Sequence, residues 1–284
     1  MHHTQPINVW VPACAGTTKS DFSPGAGDVG AIVTLIDFLM LAGGGFLAGV
    51  VNSVAGGGTF LSFAAMIACG LNPLEANATS SVAITPSNLA TVAAYRHEVR
   101  SHWREFIPFA VIGVIGGAIG AGLLIWLGNA GFKPLVPWLL LFATLLFAFS
   151  GPIRKFVEPW SVRAESGVRI AAYGLMVVVS IYGGFFGAGI GFVILAALLI
   201  LEGGDYHKAN AIRITIAFLI QAVAALLLIF GGLVHWPHAI VTMIAASVGG
   251  YYGVGWAKML PDKIVRAVVV AIGAALTVIF FIRP

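Results

Sequence analysis

Polar side chains set in apolar sequence are costly to bury, so they mark where chemistry is done. Four of them, Asn77, Ser81, Thr85 and Asn88, recur at i, i+4, i+8 and i+11, one stripe of an α-helix. A shift of 133 residues carries Asn77 onto Asn210 and Asn88 onto Gln221, so carboxamides mark both ends of a second, equivalent stripe. Two such stripes facing each other line a polar pathway; alternatively they make interhelical hydrogen bonds, each worth about 0.6 to 2 kcal/mol. Arg213 lies one turn into the apolar run that holds the second stripe. A guanidinium there costs at least about 2.5 kcal/mol and cannot shed its proton. It needs a negative or strongly accepting partner: a bound anion held by bidentate, charge-assisted bonds, or else Glu202, Asp205 or water at the membrane edge.

Glycine clusters add to this. Gly56, Gly57 and Gly58 precede one short apolar segment, and Gly187, Gly189 and Gly191 precede another. Helices starting there aim free N–H groups and a positive dipole end at a neighbouring anion, and Asn52, Ser53 and Thr59 beside the first break are further donors. The plainer role for these glycines is tight helix packing, the role read for Gly116, Gly120 and Gly122. Asp37, within the first apolar segment, either carries a coupling proton or simply reaches water.

Other chemistry is excluded. Cys14 and Cys69 form no CxxC or mixed Cys/His spacing, and His97-Glu98 has Ser101 where the second histidine of HExxH belongs, so no metal is expected. His97 and His102 fall in one loop and His235 and His238 in another on the opposite side, with Trp103 and Trp236 beside them as interface anchors. No GxxxxGK[ST] sequence is present, so ATP is not the direct energy source. Nor is there a nucleophile with its base or a pair of membrane carboxylates, so the chain is not read as an enzyme and no cofactor is expected.

The elements that hold these residues follow from composition. Of 284 residues, 59% are hydrophobic and 9% charged, and mean hydropathy is +0.98, which excludes a soluble domain. Runs such as 106–127 do not alternate polar with apolar, which excludes a β-barrel. The net charge of +4 does not indicate nucleic acid, because the bases sit between apolar runs. Residues 1–28, rich in Pro and Gly, read as a mobile extension without the apolar core of a signal peptide. Ten apolar segments follow, at about 29–51, 55–70, 76–95, 105–127, 133–150, 168–184, 187–201, 207–231, 236–257 and 263–282. The second and seventh are short for a full crossing, as half-helices or re-entrant arms are. The loops after odd-numbered segments hold eleven Lys and Arg against three on the other side, so the crowded side is cytoplasmic and both termini face outward.

The shift of 133 also aligns Ala76-Asn77-Ala78 with Ala209-Asn210-Ala211, His102-Trp103 with His235-Trp236, and Gly116, Gly117, Gly120 and Gly122 with Gly249, Gly250, Gly253 and Gly255. The chain therefore divides into a first transmembrane repeat, 29–150, a basic cytoplasmic linker, 151–167, and a second repeat, 168–284. Five segments per repeat invert the second copy relative to the first. The expected fold is an all-α polytopic membrane protein of two inverted five-segment repeats, with broken or short helices at the midplane, as alternating access requires.

The sequences VNSVAGGGTFLSF and GGFFGAGIGFVIL, followed by LNPLEANATSS and GGDYHKANAIRIT, resemble the TauE/SafE family of sulfite exporters and related permeases over residues 30–282. The resemblance implies transport of sulfite or a small organosulfur anion such as sulfoacetate across the inner membrane; with ATP excluded, a secondary transporter driven by a proton or ion gradient is left by elimination. A passive anion channel is the alternative, ahead of an intramembrane enzyme.

Overall fold

The computed structural model describes residues 34–55, 57–94, 100, 103–152, 166–201, 206–256 and 262–282. The extension 1–28, Gly56, His97, His102, Glu202, Asp205 and most of the 151–167 linker lie outside the described residues. Among the described residues the regular structure is helical. The ten apolar segments become α1 (Leu35–Ala55), α2 (Thr59–Ala68), α3 (Pro73–Ala94), α4 (Trp103–Phe132), α5 (Val136–Ala148), α6 (Ser166–Phe185), α7 (Ile190–Leu201), α8 (Tyr206–Phe230), α9 (Trp236–Trp256) and α10 (Asp262–Ile282).

Local sequence sets where these helices begin. Thr34 and Asp37 form a reciprocal cap on α1: the Asp37 N–H donates to Thr34 Oγ1 at 3.2 Å and the Thr34 N–H to Asp37 Oδ2 at 3.2 Å. Asn72 caps α3 by accepting the Glu75 N–H at 3.0 Å, and Pro73 fills the first helical position, where no N–H is needed. Gly128, at φ 63° and ψ −176°, breaks α4 before its last turn.

Among the described residues four stretches are long and apolar enough to cross a membrane: Leu35–Ser53, Phe106–Ala148, which takes in α4 and α5, Ser166–Phe185 and Lys208–Phe230. The 10 residues of α2 and 12 of α7 rise only about 15 and 18 Å, half of a hydrocarbon core about 30 Å thick. Large apolar side chains lie on the outside, among them Trp126 at 81% exposure and Phe230 at 85%, a surface suited to lipid rather than water.

Helix contacts come in matched pairs. α1 packs on α9 as α6 packs on α4; α3 on α9 as α8 on α4; α1 on α2 as α6 on α7; α3 on α2 as α8 on α7. α3 with α8, and α5 with α10, join the counterparts themselves. Between them Phe60, Phe63, Phe132, Phe147 and Phe186 build one buried aromatic core. Its rings meet mainly edge to face, as in the Phe63–Phe186 pair at 5.6 Å between centroids.

Candidate functional site

The α6–α7 connection is built on conformations that favour glycine. Gly187 and Gly189 stand at φ +77° and +79°, so the chain leaves α6 and re-enters α7 within four residues. Two side chains fix this break. Asn77 of α3, 2% exposed, donates from Nδ2 to the Phe185 carbonyl at 3.0 Å, and the Tyr182 hydroxyl donates to the Ala188 carbonyl at 3.0 Å. The break before α2 is packed differently. A Cβ on Gly57 would fall inside the Phe147 ring, and one on Gly58 would lie 2.1 Å from the Ala48 carbonyl oxygen.

Beside both breaks lies a cavity with about 490 Å³ of space, counting its open mouth. Asn52 and Ser53 enter from the end of α1, Thr59 from the start of α2, and Asn88 and Thr91 from the C-terminal half of α3. Gly187, Ile190 and Gly191 come from the second break, and Arg213, Ile214, Ala217 and Gln221 from α8. Thr59 and Ile190 are the first residues of α2 and α7, so both short helices present their N-termini to the cavity. Helix N-termini favour anions, and Arg213 adds a full positive charge. No carboxylate is among the described lining residues.

Hydrogen bonding decides which lining groups keep capacity for a ligand. Asn52 Nδ2 donates to Asn88 Oδ1, which leaves both donors of the Asn88 amide nitrogen unspent by that contact. The Ser53 hydroxyl donates back to the Val50 carbonyl at 2.8 Å and keeps only acceptor capacity. Gln221 is 4% exposed, and its amide lies against Gly187: a Cβ added there would stand 3.5 Å from Gln221 Nε2.

Of the residues singled out in the sequence, Asn52, Ser53, Thr59, Asn88, Gly187, Gly191, Arg213 and Gln221 are brought together here. Asn77, Ser81, Thr85, Gly57, Gly58, Gly189 and Asn210 are not among the lining residues. Asn77 serves the break, and the Thr85 hydroxyl donates to the Ser81 carbonyl at 2.8 Å within α3. Gly189 faces Phe147, whose ring a Cβ would meet at 3.5 Å. Asp37 caps α1 away from the cavity. Sequence reasoning missed Thr91, Ile190, Ile214 and Ala217. Thr91 continues the Asn88 stripe at i+3, and Ala217 bridges Arg213 and Gln221 at i+4, so helical spacing carried that signal. No group of three or more His, Cys, Asp or Glu suited to a metal occurs among the described residues.

Residues 41–280 match the family described as "Sulfite exporter TauE/SafE". The chain belongs to the TauE/SafE family. The match takes in both glycine breaks and every residue lining the cavity. This TauE/SafE chain is similar to the "Probable membrane transporter protein ORF9" of Sinorhizobium sp., 25% identical over 254 residues, covering 88% of this chain and 94% of that protein. A "Probable membrane transporter protein" of Haemophilus influenzae is 27% identical over 239 residues, 82% of this chain and 90% of its own. "Probable membrane transporter protein YfcA" of Escherichia coli K12 is 27% identical over 234 residues, with coverages of 81% and 84%. No solved structure matches the chain significantly.

Proposed function

We propose that this TauE/SafE protein is a secondary transporter of a small oxyanion, sulfite or an organosulfonate, working by alternating access between two inverted halves in the inner membrane. One observation carries the reading: the cavity joins Arg213, two helix N-termini and the amides of Asn52, Asn88 and Gln221, and no carboxylate is among its described lining residues. Such a set attracts a monovalent or divalent oxyanion and turns away cations. The family name supplies the sulfur oxyanion as the first substrate to try.

The matched helix contacts support a pseudo-twofold relation between residues 29–150 and 168–284, and the 133-residue shift supports the same pairing. Inversion then puts the two ends of the pathway in different states. The lining runs toward Thr91, near the C-terminus of α3, and Arg213, near the N-terminus of α8. Those ends adjoin the basic loops, so this conformation is read as open to the cytoplasm, with both termini outside. Under the shift, Asn52, Ser53 and Thr59 correspond to Phe185, Phe186 and Phe192. These three pack onto Phe63, Phe132 and Phe147, an aromatic layer that would shut the outer route. A shut outer side favours a carrier over a passive channel.

Uptake by purified protein in liposomes under an imposed proton or ion gradient is the test, with sulfite, thiosulfate, sulfoacetate and sulfate compared by counterflow. Accumulation against the anion gradient is expected. Equilibration without accumulation would make it a channel, and no flux of any of these anions would overturn the transport reading.

A further inference from the structure

The start of α9 carries a second polar cluster that the cavity does not use. His235 and His238 meet edge to face, with ring centroids 4.4 Å apart. His238 is 7% exposed, and the Nδ1 atoms of both rings are buried without a hydrogen-bond partner. One turn further on, the fully buried Thr242 hydroxyl is in the same condition. Buried polar atoms are nearly always satisfied, so three left open together mark polar groups that the fold itself does not use.

Ionisable residues stand on the elements around the pair. Burial and the neighbouring His235 oppose a charge on His238, and on α1 Asp37 favours one. Its Oδ2 accepts from Thr34 Oγ1 at 2.6 Å. Cys69, just past α2, lies beside it, with Sγ 3.9 Å from the Asp37 carbonyl oxygen. From α3, Thr79 Oγ1 accepts the His235 backbone N–H at 3.0 Å, and Glu75, one turn earlier, is the ionisable residue of that helix. Imidazoles are the groups that change charge near neutral pH, and here two rings are in contact at the outer end of one helix.

We propose that His235 and His238 form a proton-binding site on the outer side, whose occupancy holds that side shut and so favours the cytoplasm-facing cavity. The proposal rests on the two-state reading above. A proton on the pair makes a cation opposite the Asp37 carboxylate, drawing the outer ends of α1 and α9 together. α1 carries the change inward, because its far end bears Asn52 and Ser53 of the cavity. The His235–Thr79 bond ties the same cluster to α3, which bears Asn88.

The test uses the full-length protein in liposomes, with Cys14 and Cys69 replaced by serine and a single reporter, Thr91→Cys, in the cavity. Lowering the outer pH from about 8 to about 6, across the imidazole range, should raise labelling by a maleimide on the cytoplasmic side several-fold. H235Q and H238Q, made singly, should flatten that response, and D37N should weaken it while leaving the two rings in place. An undiminished pH response in both histidine variants would overturn the proposal, as would a wild-type rate that ignores outer pH. Anion flux, followed in parallel vesicles of the protein with Thr91 intact, reports separately on transport. Flux absent while the histidine-dependent labelling persists would sink the transporter reading and support the proton site.

Discussion

The Asn77 side chain of α3 donates to the main-chain carbonyl of Phe185 at the end of α6, 108 residues away and in the other half of the molecule. That carbonyl is one of the last of its helix and has no continuing turn to pair with, so a side chain from α3 completes it. The second glycine break is thus positioned by α3.

It follows that Asn77→Leu should be felt as lost stability as well as lost transport. Removing one partner of a buried hydrogen bond costs about 1 to 3 kcal/mol. A thermal melt in detergent should show N77L unfolding below the parent protein, with uptake falling because the α6–α7 break loses its anchor. An unchanged melting temperature would mean that the bond does not hold the break.

Arg213 is the only fully charged group among the described cavity residues, so anion affinity should depend on it. A charge-assisted hydrogen bond contributes about 1.5 to 3 kcal/mol, which converts to roughly ten- to a hundredfold in affinity. R213Q should fold, by its circular dichroism and elution volume, yet bind and transport sulfite that much more weakly. R213K keeps the charge and loses the planar fork, so it should fall between the two. Equal sulfite affinity in R213Q and the parent would remove this residue from the site.

Much of this architecture is legible in the sequence because the bilayer imposes it. Among the described residues each of the ten apolar runs holds a helix, and the two short ones stayed short, since a membrane leaves the backbone few other ways to satisfy itself. Arg213 and Gln221 were legible because a charge and an amide in apolar sequence need a reason. The division of the α3 stripe was not. Asn77, Ser81, Thr85 and Asn88 share a helix face, yet Asn88 reaches the cavity and Asn77 the backbone of another helix. Spacing fixes which way a residue points around its own axis, and only the packing of α3 between α2, α8 and α9 fixes what lies opposite at each depth. The glycine breaks show the same limit. Gly187 borders the cavity, while Gly57 is pressed against Phe147, and nothing in GAG or GGG distinguishes the two.

Gly187 offers a sharper test than the other glycines. An alanine there must adopt a left-handed conformation, costing about 1 to 2 kcal/mol, and its Cβ would stand in contact with the Gln221 amide. G187A should lower both stability and uptake. Gly122, mid-helix in α4 with nothing within 4 Å of an added Cβ, is the control. G122A should be neutral or stabilise by about 0.5 to 1 kcal/mol through helix propensity alone. Thermal melts of the pair separate conformational demand from a general effect of added methyl groups.

The last prediction concerns which side of the membrane the cavity faces. Ala217 lines it, whereas Ser81, the counterpart of neighbouring Ile214 under the 133-residue shift, is buried and not among the lining residues. In a background with Cys14 and Cys69 replaced by serine, A217C should react with an impermeant maleimide added on the cytoplasmic side, and sulfite should slow that reaction by occupying the same space. S81C should resist the reagent from that side and react from the outer side only while the protein turns over, because its exposure requires the opposite state. The two rates should therefore move in opposite directions when the equilibrium is shifted. If both cysteines reacted from one side, or if A217C were reached only from outside, the halves would not exchange states as inversion demands, and alternating access at this cavity would be untenable.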